Sequence, residues 1–358
     1  MNQTYVIAEA GVNHNGSVET ACQLVDVAAK AGADAIKFQT FDAKALVTRS
    51  AGKATYQKKT TDQSESQLEM LQKLQLKKSD YARILKRCQE QGIEFLSTPF
   101  DLGSLDFLIK ELGISRIKVP SGEITNGPFL CEVARRNLPI ILSTGMSYIG
   151  EVEQALASFA FGYLNKDLTP NEGLIYDAYR SPEGRQKLLE NVTLLHCTTE
   201  YPAPMDQVNL RAMQGLHETF HLNYGYSDHT QGINLAVAAT ALGASVIEKH
   251  FTLDRNLPGP DHKASLEPEE LTLMVEGIRE VSVALGERHK YPSAAEARNR
   301  AIARKSIVAR TNIAKGEAFS PENLDIKRPG SGLSPFNYWE LLGTKAQRSF
   351  EKDDLISL

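Results

Sequence analysis

The sequence predicts an α/β chain: a (β/α)8 barrel followed by a small C-terminal β-rich domain. Three observations carry this. Eight short β-rich runs alternate with amphipathic helical stretches up to residue 286, the arrangement of parallel βαβ units. Eight such units in about 250 residues is the size of a closed barrel. After Gly286 the alternation stops, and a polar segment leads into a compact module punctuated by Lys315-Gly316, Ser320-Pro321 and Pro329-Gly330, all turn-forming pairs.

The eight runs are TYVIAEAG (4–11), AIKFQT (35–40), IEFLSTPF (93–100), RIKVPSGE (116–123), PIILSTGM (139–146), VTLLHCTTE (192–200), LNYGYSDH (222–229) and SVIEKHFT (245–252). Helical periodicity marks 18–31, 79–91 and 232–242, and 267–285 supplies the helix after the eighth run. Gly32-Ala33, Gly92-Ile93, Gly113-Ile114 and Gly243-Ala244 each precede a run, where glycine is the expected helix stop. A doubly wound open sheet is the competing fold, but no glycine-rich phosphate loop follows the first run.

The domain division expected is 1–286 for the barrel, 287–302 for a linker with a short helix, and 303–358 for the β-rich module. At roughly 55 residues that module is marginal alone and is expected to pack on its own barrel or a partner's. Two connections are long. Residues 41–71 follow the second run, so they belong to the barrel's C-terminal rim and can cover a substrate. Residues 161–190 precede the sixth run, enter from the opposite rim, and are expected to affect assembly rather than chemistry.

The 40 basic and 44 acidic side chains leave a net charge of -4. That balance argues against nucleic acid or an anionic membrane as partner. No stretch reaches the roughly 18 apolar residues of a membrane span, and MNQTYVIAEAG has no signal-peptide pattern. A cytoplasmic protein with Cys22, Cys88, Cys131 and Cys197 as free thiols is expected.

Each run starts apolar and ends polar, at Glu9, Lys37 and Gln39, Thr98, Lys118 and Ser121, Ser143, Thr199, Ser227 and His229, and His250. In a barrel these ends gather on one rim, where active sites sit. His229 and His250 end neighbouring runs, so both could reach one divalent metal. The alternative is two hydrogen-bonded histidines in a polar site. Lys37, Lys118, Ser121, Ser143 and Ser227 suit a small anion carrying phosphate and carboxylate, although one lysine could form a Schiff base instead. Glu9, Glu123 and Asp261 are candidate acids, bases or sugar-hydroxyl acceptors. His14 and Asn15 either line the rim or form a turn. His196 reads as a core histidine, and His217, His221 and His289 as surface.

With these residues in view, the chain resembles the sialic acid synthase family, the phosphoenolpyruvate-dependent N-acetylneuraminate and legionaminate synthases. The stretches are IAEAGVNHNGS, AIKFQTF, YQKKTTDQSESQLEML, FLSTPFD, KVPSGEITN, ILSTGM, LLHCTTEYPAP, GYSDHT, VIEKHFTLD, GPDHKASLEP and ARKSIVA with KRPGSG. They run in order along almost the whole chain. The C-terminal module resembles the antifreeze-like (SAF) domain.

The resemblance implies roles for matching positions. His229 and His250 would bind a divalent metal: manganese, magnesium or cobalt. Lys37, Thr98, Lys118, Ser121, Ser143 and Ser227 would hold phosphoenolpyruvate. Glu9 would act on the reacting water or the intermediate. Gln39, Tyr201 and Asp261 would hold the open-chain amino sugar, and Arg328 would reach into a partner's barrel, making a domain-swapped homodimer. Thr199 stands where some relatives have asparagine, and the 161–190 segment is longer than the family leads one to expect. The reaction implied joins phosphoenolpyruvate, N-acetylmannosamine and water into N-acetylneuraminate and phosphate. Alternatives are N,N'-diacetyllegionaminate synthesis from 2,4-diacetamido-2,4,6-trideoxymannose, a metal-dependent aldolase or isomerase, and a non-catalytic sugar-binding protein.

Overall fold

The computed structural model describes residues 3–62 and 64–358. Met1 and Asn2 of the N-terminal stretch, and Gln63 within YQKKTTDQSESQLEML, lie outside the described residues.

Eight parallel strands form the expected barrel: β1 (Tyr5–Gly11), β2 (Ala35–Thr40), β3 (Glu94–Pro99), β4 (Ile117–Val119), β5 (Ile140–Ser143), β6 (Val192–Cys197), β7 (Asn223–Asp228) and β8 (Val246–His250). The hydrogen-bonded order is β3-β2-β1-β8-β7-β6-β5-β4, and β3 lies beside β4 to complete the ring. Each expected run contains its strand, though several strands are shorter. The fourth is cut to three residues because Pro120 offers no N–H for the ladder, and Ser121–Glu123 turn away as a short 3-10 helix. β1 bulges between Glu9 and Gly11 in its pairing with β2.

The helices Val18–Lys30, Lys78–Gln91, Asn234–Ala241 and Pro268–Ala284 fall within a residue or two of expectation. Ser17 caps the first by accepting from the Thr20 N–H. The four helix-stop glycines, Gly32, Gly92, Gly113 and Gly243, all have positive φ, between 65° and 94°, a conformation that costs glycine nothing.

Strand alternation sorts side chains into two sets. Val6, Ala8, Ile36, Phe38, Val119, Leu142, Leu194 and Ile247 face the helices and join the main core. At about 1.5–3 kcal/mol for each fully buried large apolar side chain, this shell dominates the barrel's stability. Ile7, Ala35, Leu96, Ile141, Leu195 and Val246 form a separate cluster inside the ring. Gly225 of β7 sits in the same layer, and a Cβ there would meet the Val246 carbonyl oxygen at 2.1 Å. Above this apolar layer the inward positions turn polar. On the helix side, a fully buried pair joins Lys249 to Asp228 at 2.8 Å, and Lys249 also donates to the Thr230 carbonyl at 2.6 Å.

The 41–71 connection carries short helices at Ala43–Leu46 and Thr55–Thr60 and leads into Gln67–Leu74. Val12, Phe41, Ala43, Met70 and Leu74 give it a small core of its own. Buried Lys53 ties the loop together, donating to Thr61 Oγ1 at 3.0 Å and pairing with Glu65 at 3.3 Å. The 161–190 segment, which leads into the N-terminal end of β6, holds the helices Glu172–Arg180 and Pro182–Asn191, both packed against Ile149–Leu164.

The first compact unit runs to Gly286 and the second is Glu287–Leu358. The second includes the helix Ala294–Ala303 together with the antiparallel pair β9 (Ser306–Ala309) and β10 (Leu324–Lys327). Its core is Ile307, Ile313, Phe319, Leu324, Phe350 and neighbours. All four cysteines are free. Among the described residues, no helix is long and apolar enough to cross a membrane.

Candidate active site

The polar layer above the apolar cluster is where the strand ends meet. Glu9 of β1 is register partner to Lys37 of β2 on one side and to His250 of β8 on the other. Lys37 Nζ lies 2.7 Å from Glu9 Oε2 and 3.7 Å from Glu248 Oε2, and donates to Thr98 Oγ1 at 3.2 Å. Lys118 donates to Ser143 Oγ at 2.7 Å and lies 3.4 Å from Glu248 Oε1. Ser227 donates to that same Glu248 oxygen at 2.9 Å. Ser121 Oγ accepts from the Gly145 N–H at 2.9 Å and sits 3.3 Å from Cys197 Sγ. These groups line a cavity of about 360 Å³ together with Gln39, Glu123, Thr199, Tyr201, His229, His250 and Asp261.

Burial sets the protonation states. It opposes the charge of Lys37, but Glu248 and Glu9 outweigh it and hold the ammonium above the usual lysine range. It lowers Lys118 despite Glu248. It would raise Glu248, yet Lys118 and Lys37 bring that carboxylate down to about 2. Burial pushes Glu9 up to about 7, against the pull of Lys37. The Lys37 ammonium therefore faces one firmly ionised carboxylate, Glu248, and one, Glu9, that exchanges its proton near neutrality. All three are shielded from water, where charge interactions are strong.

The histidines stand on the same rim. His229 and His250 have ring centroids 5.6 Å apart, with the Tyr201 ring 4.1 Å from the first and 5.5 Å from the second. His229 Nδ1 is 2.7 Å from the Thr198 carbonyl oxygen, so it carries the proton and leaves the Nε2 lone pair available. Burial holds His229 down at about 4 and His250 well below the ordinary histidine value. His250 Nδ1 is buried without a hydrogen-bond partner and lies 4.0 Å from Asp261 Oδ2. Burial pushes Asp261 up to about 6, with Lys37 pulling it down. Gly11, with φ +52°, keeps this corner open, since a Cβ would lie 3.3 Å from Glu9, 3.4 Å from His250 and 3.5 Å from Asp261.

Two neutral imidazoles, one with a buried nitrogen that has no hydrogen-bond partner, are donors of the kind a divalent cation takes. Among the described residues, no group of three or more His, Cys, Asp or Glu could hold a metal by itself.

The barrel brings together all the expected site residues except Arg328, which belongs to the second unit, exposed, at the end of β10 and just before a cis Pro329. Glu123 lines the cavity and accepts from Asn126 Nδ2 at 2.7 Å. His14 forms its own turn, accepting from the Gly16 N–H at 3.0 Å. His196 stacks on Tyr226 with its Nε2 2.7 Å from the Val208 carbonyl oxygen. Sequence reading missed Glu248, the acceptor shared by both lysines and Ser227. The period-two alternation of VIEKH puts it on the same face as His250, and that signal was there to use. Cys197 was also missed as a lining group.

Fold and site define the class: a (β/α)8-barrel enzyme whose strand ends gather ammonium, hydroxyl, carboxylate and imidazole groups in one cavity. The chain belongs to the NeuB family, which is matched over residues 24–290, and a SAF domain is matched over residues 304–358. It is 50% identical, over 99% of both chains, to an N,N'-diacetyllegionaminic acid synthase of Campylobacter jejuni subsp. jejuni. It is 45% identical to the enzyme of that name from Legionella pneumophila, over 95% of this chain and 90% of the relative. Among solved structures, an N-acetylneuraminic acid synthetase from Leptospira borgpetersenii, in complex with citrate, matches with TM-score 0.67 and 32% identity, over 83% of this chain and 90% of that one. The resemblance read from the motifs is borne out, and of the acceptors weighed, the legionaminate alternative fits the relatives best.

Proposed function

We propose that this enzyme is a phosphoenolpyruvate-dependent nonulosonate synthase whose acceptor is 2,4-diacetamido-2,4,6-trideoxymannose, with N-acetylmannosamine as the competing substrate. The observation that carries the reading is the buried Lys37–Lys118 pair with Thr98, Ser143 and Ser227 beside the histidine pair. Phosphoenolpyruvate is small and highly anionic, and ammonium and hydroxyl groups held in place match it without rearrangement.

In the proposed reaction the enol carbon attacks the sugar aldehyde, whose oxygen takes up a proton. The cationic middle carbon left behind is captured by water, which loses a proton, and the tetrahedral intermediate expels phosphate by C–O cleavage. Glu9, poised near neutrality, is the group able to take a proton from water or return one. Ser121, held by the Gly145 N–H, orients the anion, while Gln39, Tyr201 and Asp261 orient the acceptor. His229 and His250 would hold manganese, magnesium or cobalt, which supplies Lewis-acid polarisation of the acceptor carbonyl. Arg328 would enter the barrel of a second subunit and contact the acceptor's N-acyl group, so the working unit would be a domain-swapped homodimer acting in the cytoplasm.

The test is phosphate release from phosphoenolpyruvate with manganese and either the trideoxy sugar, N-acetylmannosamine or no sugar. Release that depends on the trideoxy sugar supports the reading. No release with either sugar would sink it in favour of an aldolase or isomerase.

A further inference from the structure

The cavity has two chemically different halves. Its floor is the polar layer described above. One wall is hydrocarbon, made by Val12 at the end of β1, Leu46 and Val47 from the 41–71 connection, and Met70, Leu71 and Leu74 of the helix Gln67–Leu74. Phosphoenolpyruvate has too little apolar surface to need it, and a sugar with a hydroxyl on every carbon would bury polar groups against it. Each hydroxyl left unpaired there would cost about 1–3 kcal/mol.

The wall is also firm. Met70, Leu74 and Val12 belong to the small core of the connection. Gln75 Oε1 accepts from the Ala43 N–H at 3.1 Å, tying the first short helix to the last. Leu46 and Leu71 pack against that core while staying half-buried on the cavity side. Gln57 and Gln67 stand among these carbons. Gln57 Oε1 is occupied by the Ala54 N–H at 2.9 Å, which leaves its NH2 as the donor end. A fixed amide donor framed by hydrocarbon matches an acetamido group, whose carbonyl accepts a hydrogen bond and whose methyl seeks apolar contact.

We infer that the wall carrying Leu46, Val47 and Leu71 recognises the C6 methyl and the C4 acetamido group of the acceptor, and so selects a trideoxy diacetamido sugar over a hexosamine hydroxylated at both positions. The inference rests on the synthase reading above and names the residues that would make its choice of acceptor.

The experiment compares wild type with Leu71→Asn and Leu46→Asn. It measures kcat/KM for phosphate release with 2,4-diacetamido-2,4,6-trideoxymannose and with N-acetylmannosamine, at saturating phosphoenolpyruvate and manganese. The ratio of the two should fall by about tenfold or more in each variant, the scale of apolar substrate discrimination. Equal proportional losses with both sugars would mean that the wall only supports the loop, and would overturn the inference. So would a wild type that prefers N-acetylmannosamine. A wild type that turns over neither sugar would instead count against the synthase reading. Leu46 and Leu71 lie on different helices, so a folding failure in one variant leaves the other to decide.

Discussion

Lys37 and Glu9 face each other from paired positions on adjacent strands, 2.7 Å apart and almost wholly buried. Burial drives Glu9 toward its neutral form, while Glu9 and Glu248 offset the burial that opposes the lysine's charge.

Removing the lysine should therefore be costly. Lys37→Met leaves Glu9 and Glu248 without their shared cation, and breaking a buried pair in this way costs about 3–5 kcal/mol. Urea unfolding at pH 7.5 should show that loss along with the loss of phosphate release. Adding Glu9→Gln should recover part of the stability and none of the activity. A single variant as stable as wild type would contradict the coupling.

Asp261 should make stability depend on pH. Its folded value, about 6, lies above the ordinary 3.8, so its contribution is fully present below 3.8 and lost as pH rises through 6. In chelated protein, Asp261→Asn should match wild type near pH 4 and exceed it above pH 6, by up to about 3 kcal/mol. Equal stability at pH 7.5 would contradict the raised value.

The proposed metal ligands can be tested without turnover. Calorimetric titration of the chelated protein with manganese should show binding about a hundredfold weaker, or more, in His229→Ala and in His250→Ala, a loss at least as large as removing a supporting group produces. Unchanged affinity in either variant would strike that histidine from the set.

Arg328 can be tested by complementation. Arg328→Ala and Lys118→Ala should each be nearly inactive. Unfolded together and refolded as a mixture, they should regain roughly a quarter of wild-type activity, because half of the dimers pair one intact barrel with one intact arginine. No recovery would rule out action across subunits.

Much of this was legible because barrel strands leave a directional trace. The passage from Ile7 to Glu9, or from Ile141 to Ser143, crosses from the apolar layer to the polar one within two residues, and period two carries that into the sequence. Glu248 escaped notice because attention to run ends picks out His250 and passes over the like-facing residue before it. The apolar wall was legible only as a place. The 41–71 connection follows the second run and so belongs to the rim, but its leucines carry no periodicity that distinguishes a substrate surface from a loop's own core. Ser121 gave no sign that it would lie on a 3-10 turn rather than on the strand, where Pro120 is the physical cause.

The layer of Ile7, Ala35, Leu96, Ile141, Leu195 and Val246 plugs the bottom of the barrel, and this governs traffic. A blind shaft has one door. On the proposed reaction, phosphoenolpyruvate seated among the lysines would enter before the sugar lodged above it, and phosphate would leave only after the acid product. Steady-state kinetics should thus be sequential and ordered, first in and last out, with free sugar at high concentration slowing the enzyme by arriving early and barring the way.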